Sequence, residues 1–110
     1  LIKNRDKHMG LCVDIGHTQR CGIDPSEEII KVQDRILDVH LKDITSSDAK
    51  GTTVEMGSGV IDIPKVARAL DKIGYGKNAS FEYEKDPENP LAGLAETVGY
   101  FRGVIRGLQA

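Results

Sequence analysis

The fold is decided by the stretch Ile36-Leu37-Asp38-Val39-His40-Leu41-Lys42-Asp43, in which apolar and polar residues alternate. Such a period of two predicts a β-strand with one apolar face and one polar face. The apolar face holds Leu37, Val39 and Leu41, and the polar face holds Asp38, His40 and Lys42. The polar face becomes ionisable toward the strand's C-terminal end, where catalytic and ligand-binding groups gather in parallel α/β folds. The alternative is an antiparallel strand with one wet face.

Length and composition limit the chain to one modest domain, residues 1–110. Hydrophobic residues make up 39% and charged residues 29%, which is enough to build a core. The net charge of -2 supplies no basic surface for nucleic acid, and no apolar run reaches the roughly 18 residues of a membrane span. The two cysteines, Cys12 and Cys21, lack metal-ligand spacing, so we expect reduced thiols in a cytoplasmic protein.

The rest of the chain alternates between strand and helix patterns. After a helix tail over residues 1–8, the predicted strands cover residues 9–14, 36–43 and 79–84, and the predicted helices cover residues 24–35, 61–73 and 91–108. Residues 15–23 and 45–57 are predicted loops, and Gly57-Ser58-Gly59 in the second is either a plain turn or a set of backbone N–H groups for an anion. This alternation predicts βαβ units, a parallel sheet and right-handed crossovers.

Polar residues stand at the same end of all three predicted strands. In a closed barrel alternate residues point inward, so Asp14, His40 and Glu82 would aim at one central point. Each alone has an ordinary structural explanation, but together two carboxylates and one imidazole predict a site for Mn²⁺, Mg²⁺, Co²⁺ or Zn²⁺. His17 is predicted to contact the ligands or the substrate, and Lys42 to hold a carboxylate, hydroxyl or phosphate.

Two further residues, Arg20 and Cys21, lie in the predicted loop over the same rim, and the sequence assigns neither of them a role.

Four segments resemble the sugar phosphate isomerase/epimerase family, the xylose isomerase-like TIM barrels, and they occur in the family's order along nearly the whole chain. Val13-Asp14-Ile15-Gly16-His17 resembles its Asp-x-x-His motif, and Val39-His40-Leu41-Lys42-Asp43 resembles its His-x-Lys-Asp strand. Gly57-Ser58-Gly59-Val60-Ile61-Asp62 is similar to its Gly-x-Gly-x-Ile-Asp segment before the next helix. Phe81-Glu82-Tyr83-Glu84 resembles its final strand.

The resemblance implies an α/β fold made of three consecutive βα units, the sixth to the eighth, of a (β/α)8 TIM barrel. It implies that Asp14, His40 and Glu82 are metal ligands and that His17 and Lys42 contact a sugar or sugar phosphate. The implied activity is a metal-dependent isomerisation or epimerisation in which two glutamates move a proton beside a metal-polarised carbonyl or hydroxyl. Glu82 would be one of these two catalytic glutamates.

The chain departs from this pattern in its length. A complete barrel needs about 250 residues, and three strands leave open sheet edges. The resemblance places a fourth ligand, a glutamate, on a strand before Leu1. We therefore expect either the C-terminal part of a longer enzyme or a homo-oligomer that covers the edges, and an isolated chain without activity.

Two other functions remain open at this stage. The first is a non-catalytic fragment or assembly module that lacks a complete site. The second, a related metal-dependent apurinic endonuclease, shares the Asp-x-x-His pattern but would need more His and Asp ligands and a basic DNA surface.

Overall fold

The computed structural model of the chain describes residues 2–110, in which strands and helices alternate. The strands are β1 (Leu11–Asp14), β2 (Ile36–Leu41), β3 (Asp43–Ile44), β4 (Thr53–Val54) and β5 (Ala79–Phe81). The helices are α1 (Ile15–Arg20), α2 (Pro25–Lys31), α3 (Ile63–Lys72) and α4 (Leu91–Leu108), and a 3-10 turn at Gln33–Arg35 precedes β2.

The main sheet has the order β1-β2-β5, and both pairs of neighbouring strands are parallel. In the register, Asp14 lies opposite His40, and His40 lies opposite Ser80. The predicted parallel sheet is therefore confirmed, and the antiparallel alternative for β2 is wrong. Because successive parallel strands are neighbours, their C-terminal ends meet at one edge of the sheet.

One apolar cluster joins the sheet to α2 and α3, and most of its side chains are fully enclosed. It includes Val13, Ile29, Val39, Leu41 and Val66. Burying one such side chain is worth about 1.5–3 kcal/mol, so this cluster holds the helices against the sheet.

Local signals fix where α2 and α3 begin. The Asp24 carboxylate accepts the N–H of Ser26, and the Asp62 carboxylate accepts the N–H of Lys65. Both aspartates thereby satisfy a backbone donor that the first turn of a helix leaves open. The predicted start of α2 is confirmed, whereas its predicted end near residue 35 is wrong, because the helix ends at Lys31.

Helix α4 has the predicted bounds, but its apolar stripe is only half-buried. Thr97 is the buried residue of this helix, while Leu91 is 73% exposed and Leu108 also faces outward. Phe101 packs edge-to-face on Phe81, with ring centroids 5.6 Å apart. The single buried face expected for α4 is therefore formed only in part by the described residues.

The beginning of the chain differs from the prediction. A helix tail was expected over residues 1–8; Leu1 lies outside the described residues, and residues 2–8 form turns. The guanidinium of Arg35 donates to five carbonyl oxygens of this segment, from Ile2 to Met9. These contacts need the carbonyls to turn toward Arg35, which a continuous helix would not allow.

Three further details of the predicted elements are wrong. Residues 15–20 form α1 because Asp14 caps it by accepting the N–H of His17. The predicted loop 45–57 contains part of an antiparallel hairpin, in which Asp43 pairs with Val54. Leu37, expected on the buried face of β2, is 44% exposed.

None of the helices among residues 2–110 combines the length and the apolar character needed to cross a membrane.

Candidate functional site

Asp14, His40 and Glu82 come together at the C-terminal edge of the three parallel strands. Asp14 ends β1, His40 lies near the end of β2, and Glu82 directly follows β5. The N–H of Glu82 still donates to the carbonyl of Leu41, which keeps the glutamate in line with the sheet. One ligand atom from each of the three residues lies within 4.8 Å of the other two.

The distances within this group suit a shared cation. His40 Nδ1 lies 3.0 Å from Glu82 Oε1 and 3.7 Å from Asp14 Oδ2. Two ligands bound to one divalent cation at about 2.1 Å have separations of this order. The donor set of two carboxylates and one imidazole fits a hard or borderline divalent cation. The residues are therefore able to hold such an ion, and the assignment of them as its ligands stays a prediction.

Asp14 divides its two carboxylate oxygens between the helix and the cluster. Its Oδ1 accepts the backbone N–H of His17 at 2.9 Å and thereby caps α1. Its Oδ2 faces the imidazole of His40 and the ammonium of Lys42. The cap fixes the side-chain rotamer, so the sequence that starts α1 also orients the oxygen that faces the cluster.

Lys42 is the charged centre of the cluster. Its side chain is only 5% exposed, and Nζ lies 3.2 Å from Asp14 Oδ2, 2.9 Å from Glu82 Oε2 and 3.0 Å from Glu84 Oε1. Burial works to lower the pKa of Lys42, but its contacts with Glu82, Glu84 and Asp14 outweigh burial and raise the pKa above its usual value. Three carboxylates share this one ammonium, so the cluster keeps negative charge that a divalent cation can neutralise.

His17 lies at the rim of the cluster. Its imidazole is 64% exposed, and Nε2 is 3.9 Å from Asp14 Oδ2. The side chain is thus free to meet a molecule that approaches from solvent, and its predicted contact with a substrate remains untested.

A second group of possible ligands, which the sequence reasoning missed, lies one layer below. Cys12, Asp38 and His40 also offer ligand atoms within 4.8 Å of one another, and His40 Nε2 is 3.7 Å from Asp38 Oδ2. Burial, followed by the charges of Asp38 and Asp14, raises the pKa of the Cys12 thiol. The sequence did indicate this group. Cys12 precedes Asp14 by two residues and Asp38 precedes His40 by two residues, and residues two apart in a strand lie on the same face.

Asp43 is the other residue whose role the sequence did not reveal. It is fully buried, and its carboxylate accepts four backbone N–H groups, those of Ile44, Gly57, Gly59 and Ile61, at 2.9–3.1 Å. Two of these donors belong to the Gly57-Ser58-Gly59 segment, so they bind an anion of the chain itself. This contact fixes the loop behind Lys42.

A cleft of about 250 Å³ opens beside the carboxylate cluster. His17, Lys42 and Glu84 form its inner side. Arg20 and residues 49–53 of the β3–β4 hairpin form its outer side. The guanidinium of Arg20 donates to the carbonyl of Ala49 at 3.0 Å, which ties α1 to the hairpin.

The parallel strands and the polar groups at their C-terminal ends are features of a TIM-barrel-like α/β fold in which the sheet is open. The chain belongs to the xylose isomerase-like TIM barrel family, whose model matches residues 1–104. A search of curated proteins found no significant match.

Several solved structures are similar to this chain. A D-tagatose 3-epimerase-like protein superimposes with a TM-score of 0.73 at 27% identity, over 97% of this chain and 40% of its own. A xylose isomerase domain protein from Planctomyces limnophilus gives 0.72 at 24% identity, over 86% of this chain and 37% of its own. Mannonate dehydratase from Streptococcus suis serotype 2 gives 0.68 at 21% identity, over 90% of this chain and 32% of its own. The chain thus spans about a third to two fifths of the length of these proteins.

Proposed function

We propose that this chain forms part of a divalent-metal-dependent isomerase or epimerase that acts on a sugar or sugar phosphate. Asp14, His40 and Glu82 would bind the metal, and Glu82 would also take part in proton transfer. The observation that carries the proposal is the convergence of the three ligand atoms within 4.8 Å at the ends of adjacent parallel strands. Similarity to an epimerase-like protein at 27% identity supports the class of reaction.

A bound metal would act as a Lewis acid that polarises a carbonyl or hydroxyl oxygen of the sugar. His40 would hold its Nδ1 lone pair toward the ion, while the charge of Asp38, whose Oδ2 lies 3.7 Å from Nε2, would favour a proton on that other ring nitrogen. Glu82 has one oxygen beside His40 and one beside Lys42. A carboxylate held in this way can accept a proton from the carbon next to the carbonyl.

Lys42 and His17 would contribute differently to substrate binding. The Lys42 ammonium is in contact with three carboxylates, so its main effect would be to hold Glu82 in one orientation. The exposed imidazole of His17 would donate a hydrogen bond to a sugar hydroxyl at the open side of the cluster.

The proposed activity belongs to a complete barrel. Among residues 2–110, β1 and β5 are the outer strands of a three-stranded sheet, and α4 exposes part of its apolar stripe. Further strands, supplied by the same polypeptide or by other copies, would cover these edges and contribute the fourth ligand. The competing proposal is a non-catalytic module, and the presence or absence of that ligand separates the two.

The test uses the full-length protein after metal removal with a chelator. Titration calorimetry with Mn²⁺ measures affinity, and NMR in D₂O follows deuterium incorporation next to the carbonyl of D-fructose and D-fructose 6-phosphate. We expect Asp14→Asn and His40→Ala to weaken Mn²⁺ binding by about tenfold or more, since the first replaces a charged ligand oxygen with a neutral one and the second removes a ligand. Glu82→Gln should slow the exchange by roughly a hundredfold or more.

The matched control is Glu96→Gln on the exposed side of α4, which should change neither quantity. Manganese binding that persists unchanged in both Asp14→Asn and His40→Ala would contradict the proposed site. Metal binding that depends on these residues, with no exchange in any sugar tested, would favour the non-catalytic module.

A further inference from the structure

The cleft beside the carboxylate cluster differs from the cluster in its charge. Three cationic side chains line it, those of Arg20, Lys42 and Lys50, and Glu84 is its one acidic lining residue. Glu84 is already paired with Lys42, at 3.0 Å. The cleft is therefore electropositive, although it adjoins a group of carboxylates.

Lys42 does not supply the free positive charge of the cleft. Its ammonium is close to three carboxylates at once, and its side chain is almost fully enclosed. An anion in the cleft would have to compete with all three for this ammonium. The positive charge that remains for a ligand therefore belongs to the outer side, to Arg20 and Lys50.

The Arg20 guanidinium has donors that its surroundings leave unused. One terminal nitrogen donates to the carbonyl of Ala49, while the Nε–H is buried and has no acceptor among residues 2–110. Buried donors in folded proteins nearly always have a partner, because an unpaired one is costly. Because Nε itself is enclosed, a ligand in the cleft would meet the terminal nitrogens of Arg20, and a planar guanidinium is suited to a carboxylate or phosphate.

The Lys50 ammonium is likewise available. Within the part of the chain that the structure describes, no carboxylate oxygen lies within 4.0 Å of it; the nearby Asp48 carboxylate instead accepts the Lys50 backbone N–H at 2.8 Å. That hydrogen bond shapes the turn that presents Lys50 at the cleft. Gln19 also holds this segment, through a 2.9 Å hydrogen bond to Ser47, so the loop is anchored to α1 at two points.

We propose that this cleft binds the anionic end group of the substrate, a carboxylate or a phosphate, between Arg20 and Lys50. The inference rests on the proposed function, since it assumes that the sugar reacts at the adjoining cluster. His17 and Lys42 line the cleft and also contact Asp14, so a sugar chain can extend from the cluster into the cleft. The substrate class is then a sugar acid or a sugar phosphate, and a neutral sugar binds less well.

The experiment compares charged and neutral partners of the same size on the metal-free, full-length protein. Titration calorimetry measures the affinities of D-fructose 6-phosphate against D-fructose, of D-gluconate against D-glucitol, and of inorganic phosphate alone. We expect at least one charged ligand to bind roughly tenfold to a hundredfold more tightly than its neutral partner. Tighter binding of D-fructose 6-phosphate than of D-fructose would show that the cleft binds a phosphate. Tighter binding of D-gluconate than of D-glucitol would show that it binds a carboxylate, and both results together would show that it binds either anion.

Two variants link this preference to the cleft. Lys50→Gln removes a charge that makes no ion pair among the described residues, so it leaves the fold intact and should abolish most of the preference. Arg20→Lys keeps the charge but loses the planar fork, and should reduce the preference by about tenfold. Lys72→Gln, an exposed lysine at the end of α3, is the matched control and should change nothing.

Equal binding of charged and neutral ligands would overturn the inference, and so would a preference that survives both variants. The proposed function fails separately. Metal binding at Asp14 and His40 without any charge preference would remove only the cleft assignment. A charge preference that depends on Lys50, in a protein that binds no metal, would remove only the metal-dependent reaction.

Discussion

The Lys42 ammonium lies 2.9 Å from Glu82 Oε2 although the two residues are 40 positions apart in the chain. Glu82 is thereby held between a cation and the imidazole of His40, one oxygen toward each. A carboxylate that is held at both oxygens keeps one orientation. The contact thus joins the residue that follows β2 to the residue that follows β5 and fixes the orientation of Glu82.

Replacing Lys42 by glutamine should destabilise the metal-free protein. The change leaves the carboxylates of Asp14, Glu82 and Glu84 facing one another without a cation. Removing one partner of a fully buried pair costs about 3–5 kcal/mol, but the glutamates are partly solvated, so we expect a loss of about 1–3 kcal/mol in the free energy of unfolding. Chemical denaturation in the presence of a chelator measures it.

In the same variant, Mn²⁺ should raise the melting temperature more than in the unchanged protein, because the added cation replaces the missing ammonium. Lys31→Gln, at the exposed end of α2, is the control and should shift neither quantity by more than about 0.5 kcal/mol. Equal stability losses in the two variants would show that the Lys42 contacts do not stabilise the fold.

Asp43→Asn should be strongly destabilising. The asparagine retains one acceptor oxygen where the aspartate uses two, and its NH₂ group would face backbone N–H groups of the 57–61 turn. Hydrogen bonds to a charged group are worth about 1.5–3 kcal/mol each, so we expect a loss of about 3 kcal/mol or more. Urea denaturation checks this, with Asp71→Asn on the exposed side of α3 as a near-neutral comparison.

Gly59→Ala should disturb the same turn through steric overlap. A Cβ at this position would collide with the Asp43 carboxylate and with the carbonyl of Ile44, neither of which has room to move. We expect a loss of about 2–3 kcal/mol. At Gly76 a Cβ meets no atom within 4 Å, so Gly76→Ala should leave the melting temperature nearly unchanged. Equal melting temperatures of Gly59→Ala and Gly76→Ala would contradict the steric explanation.

The parts of the fold that follow from local signals were predictable. Pro90 and the helical spacing of apolar residues gave the bounds of α4, and Asp24 with Pro25 gave the start of α2. The convergence of Asp14, His40 and Glu82 was also predictable in position, since each lies at or next to the C-terminal end of a strand and neighbouring parallel strands end at one edge. Their roles in binding and catalysis remain predictions.

The parts that depend on distant partners were not predictable. The Ser- and Thr-rich sequence of the hairpin of β3 and β4 shows no alternation of apolar and polar residues. Its two short strands are defined by their pairing, in which Asp43 lies opposite Val54, 11 positions away in the chain. Lys42 was predicted to hold a carboxylate, hydroxyl or phosphate of a ligand, whereas in the structure it is buried against carboxylates of the chain itself, which the sequence pattern did not show. A sequence pattern records which groups are available, whereas burial is decided by neighbours that the chain brings from far away.

The acid sensitivity of the fold should depend partly on Asp24. Hydrogen bonds from Lys65 and Ser26 lower the pKa of this carboxyl from 3.8 to about 2. Since the pKa is lower in the folded state, the ionised group stabilises the fold fully above pH 4, and this contribution disappears as the pH falls toward 2. Asp24 is about one-third exposed, so solvent reduces the contribution to roughly 1 kcal/mol.

Asp24→Asn isolates this charge, because asparagine is an equally good helix cap and α2 keeps its start. We expect the variant to be less stable than the unchanged protein by roughly 1 kcal/mol at pH 6, and the difference to vanish near pH 2. Urea denaturation at a series of pH values measures both curves. Lys65→Gln should reproduce part of this pH dependence, since it removes the stronger of the two hydrogen-bond partners that lower the pKa. A difference that stays constant down to pH 2 would mean that the charge of Asp24 does not account for its contribution to stability.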